Sequence, residues 1–147
     1  MMKPKMDWNI HYCANGVKCS ICGEREYAFL PQIFDAHTHG MERYHHLNFQ
    51  MVLDTGPSNI GCLLNRMGCR VQAGERFAPG DLVSGLFIES QVRLDFFTDP
   101  EVSEQYLRLI IPDGQNRWPE DPHCDYPYNM QMQPISNLRR PDGYHEC

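Results

Sequence analysis

The sequence predicts one α+β domain whose sheet is mostly antiparallel. Three observations support this fold class. Strand-like segments stand both before and after a single amphipathic helix, two of the later segments are joined by a connection short enough for an antiparallel pair, and strands and helices do not alternate along the chain. A chain of 147 residues can bury roughly two-thirds of its unfolded surface around one core.

Two predicted strands precede the helix. Residues 1–30 show no periodic pattern, so we expect an irregular segment that contains several cysteines. Residues 32–39 alternate between two faces, and most of their polar side chains share one face. Residues 47–53 alternate more cleanly, with large apolar side chains on one face and amide side chains on the other.

The helix and three further strands follow. The apolar positions of the helix recur at the spacing of one helical face: Ile60, Leu63, Leu64, Met67 and Val71. Cys62 and Cys69 fall on the opposite face, two turns apart, where we expect them to pack against a second layer. The later strands are predicted within residues 82–88, 92–97 and 106–111.

The predicted domain covers residues 31–133. Residues 134–147 are expected to form a frayed C-terminal tail, because chain ends fray unless something ties them down. Gly61 and Gly68 lie on a flank of the helix, one heptad apart, where another backbone can approach closely.

The composition excludes several classes of function. The formal net charge is −6, and apart from Arg139 and Arg140 no basic cluster stands out, so we expect no nucleic-acid partner. The N-terminal lysines are not followed by an apolar stretch, and the longest apolar runs are far shorter than the ~20 residues of a membrane helix, so we expect no membrane contact and a cytoplasmic location. A small molecule or another protein is the expected partner.

The segment FDAHTHGMERYHH is the first candidate for metal chemistry. In a strand, residues i and i+2 lie on one face about 6.6 Å apart, so His37 and His39 can both reach one ion. His45 or His46 would complete the set, and a metal held in this way lowers the pKa of its bound water to about 7. The simpler interpretation, which the sequence favours, is that these histidines bond to backbone carbonyls and neighbouring acids.

An acid beside these histidines would complete a hydrolase. Asp35 or Glu42 would serve as the general base. The motif Asp35-x-His37-x-His39 also resembles the metal signature on the first barrel strand of the amidohydrolase superfamily. That superfamily needs an eight-stranded barrel of about 250 residues, and no alternation of strands and helices follows His39. We therefore expect the match to be accidental.

Cys19 and Cys22, followed by a glycine, form a sharper metal motif that resembles half of a zinc knuckle. The two-residue spacing lets both thiolates bind one zinc ion from a tight turn. Four other residues can supply the remaining two ligands: His11, Cys13, His123 and Cys124. We expect Cys13 and Cys124 to do so, which would fix the N-terminal segment to the domain. A redox dithiol and ordinary thiols are the alternatives.

Five segments in order resemble the bacterial domain of unknown function 4262 family: DAHTHGMERYHHLNFQMVLD, LLNRMGCRVQAGERFAPGDLVSGLF, VRLDFF, YLRLIIPD and NRWPED. The resemblance covers residues 34–132, so the Cys19 and Cys22 motif lies outside it. It implies a compact α+β domain encoded by a bacterium, a phage or a mobile element. It brings no established activity and no functional residue.

Three functions follow from these patterns. The first is a small ligand- or protein-binding regulatory module with a structural zinc site, which recognises its partner through the face of Asp35, His37 and His39 and through the loop at residues 117–119. The second is a metal-dependent hydrolase that uses the histidines. The third is an interaction-only inhibitor from a phage or mobile element, whose acidic surface binds its target.

Overall fold

The computed structural model describes residues 6–13, 29–87, 90–99 and 103–139. These residues form a six-stranded sheet and one α-helix that packs against it. The strands are β1 (Asn9–Cys13), β2 (Ile33–His39), β3 (Asn48–Leu53), β4 (Leu82–Val83), β5 (Val92–Asp99) and β6 (Glu104–Ile110). Their spatial order is β1-β2-β3-β6-β5-β4, and every neighbouring pair is antiparallel except β3 and β6. The predicted α+β fold is confirmed.

Helix α1 (Pro57–Gln72) packs its apolar face into the core. All five residues predicted for that face are buried. Phe49 and Met51 from β3 and Leu107 and Leu109 from β6 belong to the same buried cluster. Burial of one large apolar side chain contributes about 1.5–3 kcal/mol. Packing of this kind stabilises the helix although its N-cap residue, Gly56, has no side chain that could cap the first backbone N–H groups.

Two glycines of α1 make room for aromatic side chains. A Cβ atom on Gly68 would lie 2.6 Å from ring carbons of Trp8, and one on Gly61 would lie 2.9 Å from the Tyr12 hydroxyl. The indole N–H of Trp8 also donates to Oδ1 of Asn65, at 2.9 Å. Side chains rather than a backbone make the close approach at both glycines, so the prediction of an approaching backbone is wrong.

The expectation for Cys62 and Cys69 is wrong. Both are exposed, because the face of α1 that carries them points away from the sheet. They line an open cavity of about 490 Å³ together with Gly85 and Leu86.

The N-terminal prediction misses a strand. Residues 1–30 are not irregular throughout, since all five residues of β1 pair with β2. Ile10 and Tyr12 alternate with polar neighbours along β1 and pack against the core. Residues 1–5 and 14–28 lie outside the described part of the chain.

The predicted tail begins too early. Within residues 134–139, Ile135 and Leu138 are buried, and the carbonyl of Leu138 accepts the backbone N–H of Leu30 at 2.9 Å. These contacts join the segment to the domain. Residues 140–147 lie outside the described residues.

The strand predicted within residues 82–88 is shorter in the structure. Of residues 82–87, the described part of this range, only Leu82 and Val83 pair with β5, because the chain turns at Gly85, whose φ of +89° favours glycine. In the described part of the chain, no helix has both the length and the apolar composition that crossing a bilayer requires.

Candidate metal centre

Three histidines meet where β1 pairs with β2. His11 of β1 lies opposite His37 of β2, and His39 is the next residue of β2 on the same face. One ring nitrogen from each histidine can be chosen so that all three lie within 4.8 Å of one another. No other group of three such ligands occurs among the described residues. The pairing of two strands therefore builds a three-nitrogen cluster.

The distances within this cluster suit a small ion. Nε2 of His37 and Nε2 of His39 are 3.0 Å apart. The ring centroid of His11 lies 4.2 Å from that of His39 and 5.8 Å from that of His37. Two imidazole nitrogens on one tetrahedral zinc ion, each at about 2.0–2.1 Å, are about 3.3 Å apart. A shift of a few tenths of an ångström would convert this pair into zinc ligands.

Asp35 orients His37 from the side remote from the cluster. Its Oδ1 accepts the Nδ1–H of His37 at 3.1 Å and an amide hydrogen of Gln50 at 3.1 Å. Burial raises the pKa of Asp35, but the hydrogen bonds from His37 and Gln50 and the positive charge of Arg108 outweigh burial and hold that pKa below its usual range. The group therefore remains a carboxylate, and Nε2 of His37 carries the lone pair that a metal needs.

Gln50 and Arg108 continue this arrangement across the sheet. Register places Gln50 beside His37 and Arg108 beside Gln50. Nε of Arg108 donates to Oε1 of Gln50 at 2.8 Å, and its guanidinium lies 3.6 Å from the ring centroid of Phe97. Burial lowers the pKa of Arg108 to about 9, although the charges of Asp35 and Asp95 oppose this shift. The group is still a cation at neutral pH.

The loop histidines are not part of the cluster. His45 is exposed and His46 packs against Phe49 and Phe77. Both ring nitrogens of His46 have partners: Nε2 accepts the backbone N–H of Phe77 at 3.1 Å, so Nδ1–H donates to the carbonyl of Leu47 at 2.8 Å. The expectation that a loop histidine completes the set must be corrected. His11, from the strand that the sequence analysis missed, takes that place.

The two acids proposed as general bases have other partners. Asp35 is occupied by His37 and Gln50. The Oε2 of Glu42 accepts the Nδ2–H of Asn48 at 2.9 Å and the backbone N–H of Gly40 at 3.3 Å. Partial burial raises the pKa of Glu42, but the hydrogen bonds have the larger effect and hold that pKa below its usual value. Both acids are therefore better suited to holding neighbouring groups in place than to transferring a proton.

The cysteine site predicted from the sequence falls largely outside the described residues. Cys19 and Cys22 are not described, and for Cys13 only the backbone is, opposite Asp35 in β1. Cys124 is buried, and its thiol donates to the carbonyl of Arg117 at 3.5 Å. Burial raises the pKa of this thiol, which favours the protonated form over a metal-binding thiolate.

The loop at residues 117–119 is held by internal contacts. Nε of Arg117 donates to Oδ2 of Asp113 at 2.8 Å, and the guanidinium of Arg93 lies 5.1 Å from the Trp118 ring centroid. These contacts explain the NRWPED segment as a packed loop. A role for it in recognition stays a prediction.

The sequence signalled part of this site. Alternation placed His37 and His39 on one face, and the polar positions Gln50 and Arg108 in otherwise apolar strands were visible signs of a buried network. The amidohydrolase interpretation loses its structural basis, because the described strands form a mostly antiparallel open sheet with one helix rather than a parallel barrel. Comparison with protein-family models, curated proteins and solved structures finds no match to this chain. The resemblance to the domain of unknown function 4262 family stays a prediction.

Proposed function

We propose that this domain binds one divalent transition-metal ion, best fitted by zinc, through His11, His37 and His39. The observation that carries the proposal is the convergence of three ring nitrogens within 4.8 Å of one another. The carboxylate of Asp35 adds the orientation that metal-binding histidines usually receive from a hydrogen-bonded partner.

The donor set selects the kind of ion. Imidazole suits zinc, copper, iron and nickel, whereas calcium and magnesium prefer oxygen ligands. His37 is buried and His39 is nearly so, which keeps these donors from being solvated in the absence of metal. Zinc fits best because it accepts three imidazoles in tetrahedral geometry without any change of oxidation state.

Three protein ligands also define what the ion would do. A tetrahedral zinc ion bound by three histidines keeps one position for water, and the metal lowers the pKa of that water to about 7. An ion held by these three histidines would thus supply activated water for the hydrolysis of an electrophilic carbonyl or phosphoryl group. We therefore propose a metal-dependent hydrolytic activity for the site, with Asp35 as an orienting residue rather than a base.

A closed structural site is the second candidate. β1 carries His11 and ends at Cys13, and Cys19 and Cys22 follow shortly after it in the sequence. A thiolate from this segment as fourth ligand would exclude water and leave the metal in a purely stabilising role. The protein would then be a ligand- or protein-binding module with a zinc-fixed N-terminus.

Cobalt(II) substitution separates these candidates. Protein purified without a metal-affinity tag, stripped of metal and loaded with cobalt(II), gives visible absorption bands that report the coordination geometry. A thiolate ligand adds a charge-transfer band in the near ultraviolet. The wild type is compared with His37→Ala and with the double variant C19S/C22S, and azide is added to each sample.

The proposed site predicts tetrahedral bands that azide perturbs, no thiolate band, loss of the bands in His37→Ala and their retention in the double variant. A thiolate band that disappears both in C19S/C22S and in His37→Ala would place a thiolate on the histidine site and replace the hydrolytic site by the structural one. Absence of cobalt bands in the wild type would overturn both candidates. Hydrolysis of p-nitrophenyl acetate that requires added zinc and is lost in His37→Ala would support the activity itself.

A further inference from the structure

We infer that Gln50 and Arg108 are positioning residues that hold the carboxylate of Asp35 against Nδ1 of His37 and connect the metal centre to the C-terminal segment at residues 131–133. This inference rests on the proposed metal-binding function. It goes beyond that function, because it assigns a role to two residues that lie outside the ligand set.

The three side chains that lead to His37 form a continuous hydrogen-bonded series. Nε of Arg108 donates to Oε1 of Gln50 at 2.8 Å, and Nε2 of Gln50 donates to Oδ1 of Asp35 at 3.1 Å. The same Oδ1 lies 3.1 Å from Nδ1 of His37. Each of these four residues is at most 3% exposed. Water is therefore a poor competitor for any of the bonds.

The direction of each bond is forced by chemistry. A guanidinium can only donate, so the atom of Gln50 that faces Arg108 must be the carbonyl oxygen. The amide nitrogen of Gln50 must then face Asp35. A carboxylate can only accept, so Nδ1 of His37 must carry the proton. The carboxylate thus places the lone pair of His37 on Nε2, the nitrogen that faces His39, and Arg108 and Gln50 act by holding that carboxylate in position.

The same guanidinium holds the C-terminal segment. Its second nitrogen, Nη1, donates to the carbonyls of Gln131 and Gln133, at 2.7 and 2.6 Å. The side chain of Gln131 in turn bonds both the N–H and the carbonyl of Ile111, at the end of β6. The two hydrogen bonds to these carbonyls would be sufficient to hold the segment against β6. The additional bond from Nε to Gln50 extends the arrangement toward the histidines, so the segment and the metal centre share one buried cation.

The first test needs no variant. In metal-free wild-type protein, nitrogen-15 NMR of the histidine rings reports which nitrogen carries the proton. The inference predicts the Nδ1–H form for His37. A predominant Nε2–H form would overturn it. The NMR measurement does not require metal binding, so its result is independent of the test of the proposed function.

The second test removes the connection at Gln50. Gln50→Leu should lower zinc affinity about tenfold, at the lower end of the effect expected for an outer-shell partner, and should give a mixture of His37 tautomers. The matched control is Gln72→Leu, which removes an amide of α1 that donates to the Tyr44 hydroxyl and leaves the series intact. Unchanged affinity and tautomer in a folded Gln50→Leu protein would overturn the inference.

Arg108→Lys is the alternative variant for this test if Gln50→Leu does not fold. It keeps the charge but cannot reproduce the forked bonds to Gln50 and to both carbonyls. We expect weaker zinc binding together with faster protease cleavage near residues 131–133. Wild-type zinc affinity in this variant would contradict the inference. Failure of the wild type to bind zinc would instead overturn the proposed function.

Discussion

The carboxylate of Asp35 and the imidazole of His37 are buried side by side in β2, with Oδ1 of Asp35 3.1 Å from Nδ1 of His37. The two residues are separated by only one position, so a single strand supplies both a candidate metal ligand and the group that orients it. This relationship gives the Asp35-x-His37-x-His39 motif a role that does not depend on a barrel. The acid holds the first histidine, and in the proposed site both histidines would present nitrogen to an ion.

Replacement of Asp35 by asparagine should weaken zinc binding about 10- to 100-fold. The asparagine oxygen would still accept from His37 and Gln50, but it is neutral, so His37 would lose the negative charge that orients its ring and strengthens its Nε2 as a ligand. Isothermal titration with zinc measures the affinity. Asp81→Asn is the control, since the Asp81 carboxylate caps the exposed N–H of Ala78 at 2.8 Å. An affinity for Asp35→Asn within twofold of wild type would exclude the orienting role.

Gly68→Ala should destabilise the protein although alanine is the better helix former. The new Cβ would lie 2.6 Å from the indole of Trp8, and overpacking of this kind costs about 1–3 kcal/mol, against a gain in helix propensity of about 1 kcal/mol. We expect the free energy of unfolding to fall by up to about 2 kcal/mol in urea titrations. Gly114→Ala, with no atom within 4 Å of its Cβ, should change it little. Equal stability of the two variants would show that Trp8 moves freely.

Asp113 should make the protein sensitive to acid. Burial raises the pKa of Asp113, but the backbone N–H groups of Arg117, Asp125 and Gln115 and the Arg117 side chain outweigh burial and hold that pKa well below its usual range. A lowered pKa in the folded state contributes stability that is fully present above the unfolded value of about 3.9 and is lost as the pH falls further.

Asp113→Asn tests this dependence. The variant should unfold at a lower temperature than wild type at pH 7, and the difference should shrink as the pH falls below about 4. Circular dichroism melts at a series of pH values provide the measurement. A difference that stays constant down to pH 2 would mean that the Asp113 carboxylate is not the titrating group.

The cysteines should separate into two classes of reactivity. Cys62 and Cys69 are exposed on α1, whereas Cys124 is buried and its thiol donates to a backbone carbonyl. Burial raises the pKa of Cys124, which lowers the fraction of reactive thiolate. A maleimide reagent followed by peptide mass mapping should find Cys62 and Cys69 modified in the folded protein and Cys124 only after denaturation. Similar rates for all three would contradict the packing of the loop that holds Cys124.

Local patterns predicted the parts of this fold that depend on local spacing. The helical face of Ile60, Leu63, Leu64, Met67 and Val71 is buried as the 3.6-residue period indicates. His37 and His39 share a face because side chains in a strand alternate. The same two-residue period predicted that Phe49, Met51 and Leu53 share a core face, although Val52 on the opposite face is buried as well.

These local patterns could not predict contacts between segments that are distant in the sequence. β1 has only five residues, and His11 becomes a candidate ligand only when β1 pairs with β2 in the observed register. His46 is near His39 in the sequence, but its two ring nitrogens form hydrogen bonds with the backbone of Leu47 and Phe77 instead. Gln50 and Arg108 meet through the parallel pairing of β3 with β6, which no local spacing specifies.

The most direct measurement of the central claim is the number of zinc ions bound per chain, determined by elemental analysis for wild type and His37→Ala, both purified without a metal-affinity tag and dialysed against the same zinc buffer. The histidine cluster predicts one ion fewer in the variant, whatever Cys19 and Cys22 bind. Equal zinc content in the two folded proteins would contradict the claim that His11, His37 and His39 form the metal centre.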